Sequence, residues 1–393
     1  MPNKTDATIN NVSMGIGKRR TMPRLDRIFK SYTPRDADNS IIASIPQRDH
    51  ASVKDKFNAC DSKCSFYHKF NERAKIIAST IQSIVENDMT FPEYYTPNRV
   101  GLPYIPETRA AVDAGQDALV SPASEDRRRI YLLLVDMQVD FIHRDGTLTV
   151  PGAIADTRRT VEWIYRNTGQ ITQIGASLDS HVPIQIFFPT WWVDKDGKHP
   201  DPYTAIPLED VQAGIWNPLY EREWSLDYVE TLERNAKKTL MIWPYHTLIG
   251  TPGHTLVPAL YEAIAYHTAA RKSQPTIYSK GSIAKTEHYS IMEPEVKVRG
   301  EAQGDVNEAF LDELSTYDLI YVAGQAKSHC VLETISSMMR HFPRETIQKM
   351  RVLQDAMSPV PHPEIDFDAL ADATFERFQE IGLAMVDTSA DLA

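Results

Sequence analysis

Between residues 130 and 354 the chain is punctuated by short apolar runs without alternation, and stretches of helical spacing separate them. The sharpest is Leu-Leu-Leu-Val-Asp-Met-Gln-Val-Asp-Phe (132–141), and Leu-Ile-Tyr-Val (319–322) repeats the plan before Ala-Gly-Gln-Ala-Lys-Ser-His-Cys-Val (323–331). Alternating strands bury one face; strands without alternation are buried on both. Strands are expected at 130–137, 171–178, 239–243, 275–279, 318–323 and 349–354, with a last one at 382–386. Helical spacing is read at 153–168, 255–270, 305–316, 328–341 and 366–380. This alternation implies an α/β fold: a doubly wound, mostly parallel sheet with helices on both faces and right-handed crossovers, plus an N-terminal extension. Ligands on such sheets bind beyond the carboxyl ends of the strands.

Three chemistry-bearing residues fall there: Asp136, Lys280 in Ile-Tyr-Ser-Lys-Gly (277–281), and Cys330. Cys330 follows a strand, a glycine turn and a helix start, where free N–H groups and the helix dipole favour a thiolate and can hold an oxyanion. A cysteine nucleophile also needs a base and a proton donor for its leaving group. Asp136 can serve as both, and Lys280 can stabilise the charges. Singly, each has a plainer role: a strand-end Asp caps a turn, a Lys before Gly is solvated, a buried Cys packs. Their shared placement is what points to a Cys/Asp/Lys hydrolase site.

A second set lies close by. Ser-Leu-Asp-Ser-His-Val-Pro (177–183) places Asp179 and His181 two apart, on one side of an extended segment, and His246 follows the 239–243 run. One Asp and two His suit Zn²⁺, Mn²⁺ or Fe²⁺ with open positions. A lone His or an Asp-x-His is more often a hydrogen-bonded core residue, so this set gains weight only beside the first.

Bulk properties exclude other classes. The 393 residues are 42% hydrophobic, enough for one large core and a smaller unit. No apolar run is long enough to span a membrane and the N-terminus has no apolar h-region, so a cytoplasmic location is expected. A net charge of −11 argues against a nucleic-acid surface as the main role. The expected partner is a small-molecule substrate, with neither nucleic acid nor membrane; a homo-oligomer is left open. Three cysteines make no disulfide framework, which fits a reducing compartment. Cys60, Cys64 and His68 would share a helix face but lack a fourth ligand, so a packed or solvated helix is preferred over a metal site there.

The extension is taken as residues 1–125. Up to Arg35 it carries eight Lys/Arg against two acids, and it reads as partly disordered. One amphipathic helix is expected at 66–86, and the Pro-rich 91–125 reads as an aperiodic arm over the main domain.

The motifs, in order, are Val-Asp-Met-Gln-Val-Asp-Phe (135–141), Ser-Leu-Asp-Ser-His (177–181), Trp-Pro-Tyr-His-Thr-Leu-Ile-Gly-Thr-Pro-Gly (243–253), Ser-Lys-Gly (279–281) and Ala-Gly-Gln-Ala-Lys-Ser-His-Cys-Val (323–331). Jointly they resemble those of nicotinamidases, within the isochorismatase-like cysteine hydrolases, over about residues 129–388. The resemblance implies that 126–393 is such a hydrolase domain, deamidating nicotinamide or a close pyridine carboxamide through a Cys thioester. It implies Cys330 as nucleophile, Asp136 as general base and acid, and Lys280 as the third triad member. Asp179, His181 and His246 would bind a divalent metal (Zn, Mn or Fe), and Phe141 and Trp243 would line a slot for the pyridine ring. The Gln325–Ala326 peptide would be cis, with the Ala326 and Cys330 N–H groups as the oxyanion hole.

The sequence departs from the family pattern in places. Asp179-Ser180-His181 replaces the usual Asp-Trp-His, and Gln185 stands where many members have a further metal ligand. Residues 186–212 form a long insertion in which Trp191 and Trp192 are expected to pack rather than cap the substrate. Two alternatives remain. A cysteine hydrolase of a linear amide or ureido substrate would have no ring nitrogen for the metal. A weakly active binding or scaffold protein would have no chemical reason to keep all three triad residues.

Overall fold

A computed structural model describes residues 91–236 and 238–392. The expectations for the basic segment, the 66–86 helix and Cys60, Cys64 and His68 lie outside the described residues.

Six strands build the central sheet: β1 (Ile130–Val135), β2 (Gln173–Asp179), β3 (Thr276–Lys280), β4 (Leu319–Gly324), β5 (Met350–Leu353) and β6 (Ala384–Val386). Their order is β6-β5-β4-β1-β2-β3, and every pairing is parallel. β1 shows why the runs do not alternate. Ile130, Leu132 and Leu134 enter one apolar cluster, while Tyr131, Leu133 and Val135 enter the cluster on the opposite face. Each such side chain contributes about 1.5–3 kcal/mol of burial.

Among the described residues, the helices of eight residues or more are α1 (Thr108–Asp117), α2 (Ala153–Asn167), α3 (Arg222–Thr231), α4 (Pro258–Arg271), α5 (Glu308–Ser315), α6 (Leu332–His341) and α7 (Phe367–Ile381). Val161, Trp163 and Ile164 of α2 and Leu260, Ala263 and Ile264 of α4 belong to the first cluster, and the buried apolar residues of α5, α6 and α7 to the second. None of the described helices is long and apolar enough to cross a membrane.

Two expectations need correction. The 239–243 run does not join the sheet. Its strand, Leu240–Met241, pairs antiparallel with Ala205–Ile206 of the insertion. Ile242 exchanges backbone bonds with Tyr203 and Thr204, and the Trp243 N–H donates to the Phe187 carbonyl. The insertion thus satisfies this segment's ladder, and β3 takes the place beside β2. Residues 91–125 are also not aperiodic throughout, because α1 packs on α4. Its contact is made by small residues, Ala111 and Gly115, where a Cβ on Gly115 would strike the Tyr266 carbonyl.

Trp191 and Trp192 are buried, donating their indole N–H to Ser225 Oγ (2.9 Å) and the Ile186 carbonyl (2.6 Å). They pack, as expected.

Candidate active site

The strand order reverses between β1 and β4, and this switch point is where doubly wound sheets bind ligands. Asp136 directly follows β1, and the Gly324–Cys330 turn follows β4. Lys280 ends β3, in register with Asp179 at the end of β2. Its side chain therefore has to cross the end of β2 to reach the switch point, and it does.

The Lys280 ammonium lies 2.8 Å from Asp136 Oδ2 and 2.9 Å from Asp179 Oδ1. It also donates to the His288 carbonyl at 3.0 Å and to Cys330 Sγ at 3.7 Å. All four side chains, those of Asp136, Asp179, Lys280 and Cys330, are buried. Ser177 Oγ donates to Asp136 Oδ1 (2.6 Å) and accepts from the Asp136 N–H (3.0 Å), which fixes the carboxylate. Asp136 itself has a left-handed backbone, φ 44°.

Burial sets the protonation states. Desolvation raises the Asp136 carboxyl, against the pull of Lys280. Desolvation also pushes the Cys330 thiol well above its ordinary value, although Lys280 opposes it. Burial thus works against the thiolate that the helix start was expected to favour. Burial alone would lower Lys280, but Asp136, Asp179 and Cys330 together hold it well above the ordinary lysine range. At neutral pH the Cys330 thiol is thus neutral and Lys280 keeps its charge.

Cys330 sits in one π-helical turn, Lys327–Val331, that runs into α6. The Gln325–Ala326 peptide is cis. The Ala326 carbonyl accepts the N–H groups of His329 and Val331, which folds Ala326 and Cys330 into one turn. Gln325 is buried, and its amide donates to Asp156 Oδ2 of α2 at 2.9 Å, bracing this turn from below.

The second set converges next to the first. Asp179, His181 and His246 are buried with potential ligand atoms within 4.8 Å of one another. His181 Nδ1 faces the Gly281 carbonyl (3.1 Å), and His246 Nδ1 faces the Pro244 carbonyl (2.8 Å). A carbonyl only accepts, so Nδ1 carries the hydrogen in both rings and each Nε2 presents a lone pair. Those lone pairs point at Asp179 Oδ2, 2.8 Å away for His181 and 3.6 Å for His246. Two lone pairs against a carboxylate oxygen call for a cation between them, and carbonyl-held imidazoles are the usual outer support of metal ligands. The donor set therefore fits a divalent metal. Aromatic rings shield it: Phe187 lies 4.8 Å from His181 and Phe141 5.6 Å from His246, centroid to centroid. Gly281 permits this closeness. Its φ is +85°, and a Cβ there would come within 2.8 Å of Asp179 Oδ1.

Gln185 supplies no free ligand atom. Its Oε1 accepts from the Val182 N–H, and its Nε2 donates to the carbonyls of Gly281 and Ile283. It braces the loop that holds His181.

Trp243 is buried and donates its indole N–H to the Tyr289 hydroxyl at 2.9 Å; its ring meets His329 edge-on at 5.3 Å. Trp243, Tyr289, His329, Phe367 and Leu370 line a cavity of ≈ 890 Å³. Phe141 packs instead against the His246 side of the site.

Several residues escaped the sequence reading. Gln138 accepts from the Asp179 N–H and donates to the Asp179 and His254 carbonyls, each at 2.8 Å. Asp140 accepts the Thr247 N–H at 2.7 Å, fixing the backbone beside His246. Both stand in the 135–141 motif, two and four residues after Asp136, so the motif itself carried the signal. His288 and Tyr289 lie in an irregular loop after β3, where no periodicity marks them.

No family model matches this chain, and no curated protein does. The chain is similar to nicotinamidases of known structure. The yeast nicotinamidase bound to the inhibitor nicotinaldehyde shares 21% identity, with TM-score 0.45, over 66% of this chain and 99% of that one. A nicotinamidase/pyrazinamidase from Acinetobacter baumanii shares 18%, with TM-score 0.43, over 67% and 98%. A Pyrococcus horikoshii pyrazinamidase in complex with zinc shares 20%, with TM-score 0.39, over 66% and 98%.

Proposed function

We propose that this protein is a cysteine amidohydrolase that converts nicotinamide, or a close pyridine carboxamide, to the carboxylate and ammonia. The observation that carries this reading is the single Lys280 ammonium shared by Asp136, Asp179 and Cys330, which couples a nucleophile and its base to the Asp179/His181/His246 set.

Asp136 removes the Cys330 proton, made basic enough by its burial. The sulfur adds to the amide carbon, and the Ala326 and Cys330 N–H groups take the oxyanion. Asp136 returns the proton to the amide nitrogen, the C–N bond breaks and ammonia leaves. Water then adds to the thioester carbon while Asp136 accepts its proton. The C–S bond breaks, the acid leaves and the thiol is restored. Lys280 keeps a positive charge beside the sulfur and Asp136 throughout. Asp179, His181 and His246 would hold a divalent ion, of which Zn²⁺, Mn²⁺ and Fe²⁺ suit the donors. When bound, it supplies a Lewis-acid post that holds and orients an electron pair of the substrate or of water. Trp243 and Phe141 are assigned to the ring's surroundings, and the aromatic-lined cavity beside Trp243 suits a small aromatic amide.

The decisive experiment is ammonia release from nicotinamide by the purified protein, with and without chelator, beside Cys330→Ala. Turnover that vanishes in the variant and falls on chelation is expected. A folded, metal-loaded protein without turnover would move the reading to linear amides.

A further inference from the structure

Two segments supply the Asp179/His181/His246 set. Asp179 ends β2 and His181 follows it, whereas His246 stands in the loop before α4. The backbone fastens that loop at both ends. At the near end the His181 N–H donates to the Thr247 carbonyl (3.2 Å) and the Ile249 N–H to the His181 carbonyl (2.9 Å). At the far end the Val139 N–H donates to the Thr255 carbonyl (2.9 Å) and the Val257 N–H to the Met137 carbonyl (3.1 Å). The stretch between them turns through Gly250, φ +87°, and is exposed at Thr251 and Pro252.

His254 closes this stretch, at the end of the turn Pro252–His254. Its Nε2 lies 2.8 Å from Ser180 Oγ, the hydroxyl of the residue between Asp179 and His181. Ser180 is buried; its hydroxyl donates to the Leu178 carbonyl (3.1 Å) and accepts from Ser279 Oγ of β3 (2.8 Å). A hydroxyl has one proton and two lone pairs, so the remaining lone pair accepts from His254 and Nε2 carries the hydrogen. A second link joins the same two segments. Gln138 Nε2 donates to the Asp179 and the His254 carbonyls, each at 2.8 Å. His254 is thus fastened, by ring and by carbonyl, to the strand end that carries two of the three candidate ligands.

A half-buried ring on a turn can give its N–H to water at little cost, so solvation does not require the bond to Ser180. What the bond does is fix the loop that carries His246 against the strand that carries Asp179 and His181. Ligand atoms held in place before an ion arrives spare the ordering cost of binding it. We propose that His254 is a positioning residue of the metal site: through Ser180 it staples the His246 loop to the end of β2 and keeps the three ligands within reach of one ion. This inference rests on the metal reading of Asp179, His181 and His246 and is independent of which amide the protein hydrolyses.

Zn²⁺ affinity of the full chain, measured by competition with a chromophoric chelator, tests it without any turnover. His254→Ala and Ser180→Ala should each weaken Zn²⁺ binding by roughly five- to tenfold, the equilibrium equivalent of one hydrogen bond. Both remove the same bond, so the double variant should bind no more weakly than the singles. His254→Gln, which keeps an N–H donor, should bind more tightly than His254→Ala. The backbone bonds at both ends of the loop remain in every variant, and circular dichroism checks that each folds; either alanine variant alone decides the affinity. A staple that served only the fold would lower the urea midpoint of the chelator-treated singles and leave Zn²⁺ affinity at the wild-type value, and that result overturns the proposal. Losses that add in the double variant overturn it as well, because the two side chains would then act independently. A wild-type chain that binds no Zn²⁺ overturns the metal reading and the staple with it.

Discussion

Lys280 Nζ stands 2.8 Å from Asp136 Oδ2, an ion pair made wholly inside the protein. Its partners lie at the ends of different strands, and the lysine crosses the intervening one to join them. The sheet alone would place β1 and β3 ends too far apart for direct contact between short side chains. A long flexible cation is what the geometry requires.

Replacing Lys280 by Met therefore leaves two buried carboxylates, Asp136 and Asp179, without their shared counter-charge. Breaking a buried pair from one side costs about 3–5 kcal/mol. Lys280→Met should lose that much in urea unfolding of chelator-treated protein, together with all ammonia release. An unchanged unfolding midpoint would show that the pair is not made in solution.

Gln185 gives a contrast to the metal-ligand reading of its position. Its three backbone hydrogen bonds commit both amide atoms to the loop around His181. Gln185→Ala should destabilise the protein by about 1–3 kcal/mol, from the buried groups it unpairs. The bound metal per chain should stay at the wild-type value, whereas His246→Ala should lower it. Elemental analysis after dialysis separates the two, and metal loss in Gln185→Ala would make it a ligand.

The sequence made some of this plain and hid the rest, for identifiable reasons. β1 and β4 were legible because both faces of the strand are buried, so no polar residue interrupts them. Asp136, Lys280 and Cys330 were legible because parallel sheets gather the residues after such runs. The 239–243 run misled because an apolar segment pairs equally well with an insertion as with the main sheet. α1 was hidden because its contact with α4 is made by Ala111 and Gly115, which give no hydrophobic period. α3 was hidden because it buries Ser225 and Tyr228 among its contacts. The neutral thiol was hidden because desolvation belongs to the folded surroundings and not to the local turn.

Tyr289 holds the indole of Trp243, so it should act on substrate binding more than on chemistry. Tyr289→Phe removes the acceptor for a buried indole N–H at a cost of about 1 kcal/mol, or roughly fivefold in an equilibrium constant. KM for nicotinamide should rise by about that factor, with kcat nearly unchanged. A fall in kcat at constant KM would place Trp243 away from the ring.

Far from the site, His267 ties stability to pH. It is buried on α4, and its Nε2–H donates to the Ile171 carbonyl at 2.9 Å, which also accepts from Arg271 Nε. Desolvation is the main cause that lowers its pKa from the ordinary 6.5 to about 4; the Arg271 charge adds to it, while Asp126 and the Ile171 hydrogen bond oppose it. The folded protein thus binds the proton less readily than the unfolded chain. Its stabilising contribution is present above pH 6.5 and is lost as pH falls from 6.5 toward 4, with no further change below. The loss amounts to about 3 kcal/mol at most. His267→Gln keeps an amide donor but does not titrate. In urea titrations on chelator-treated protein at several pH values across this window, the difference between wild type and His267→Gln should shrink as pH falls. A difference that stays constant would mean that His267 is already charged in the fold.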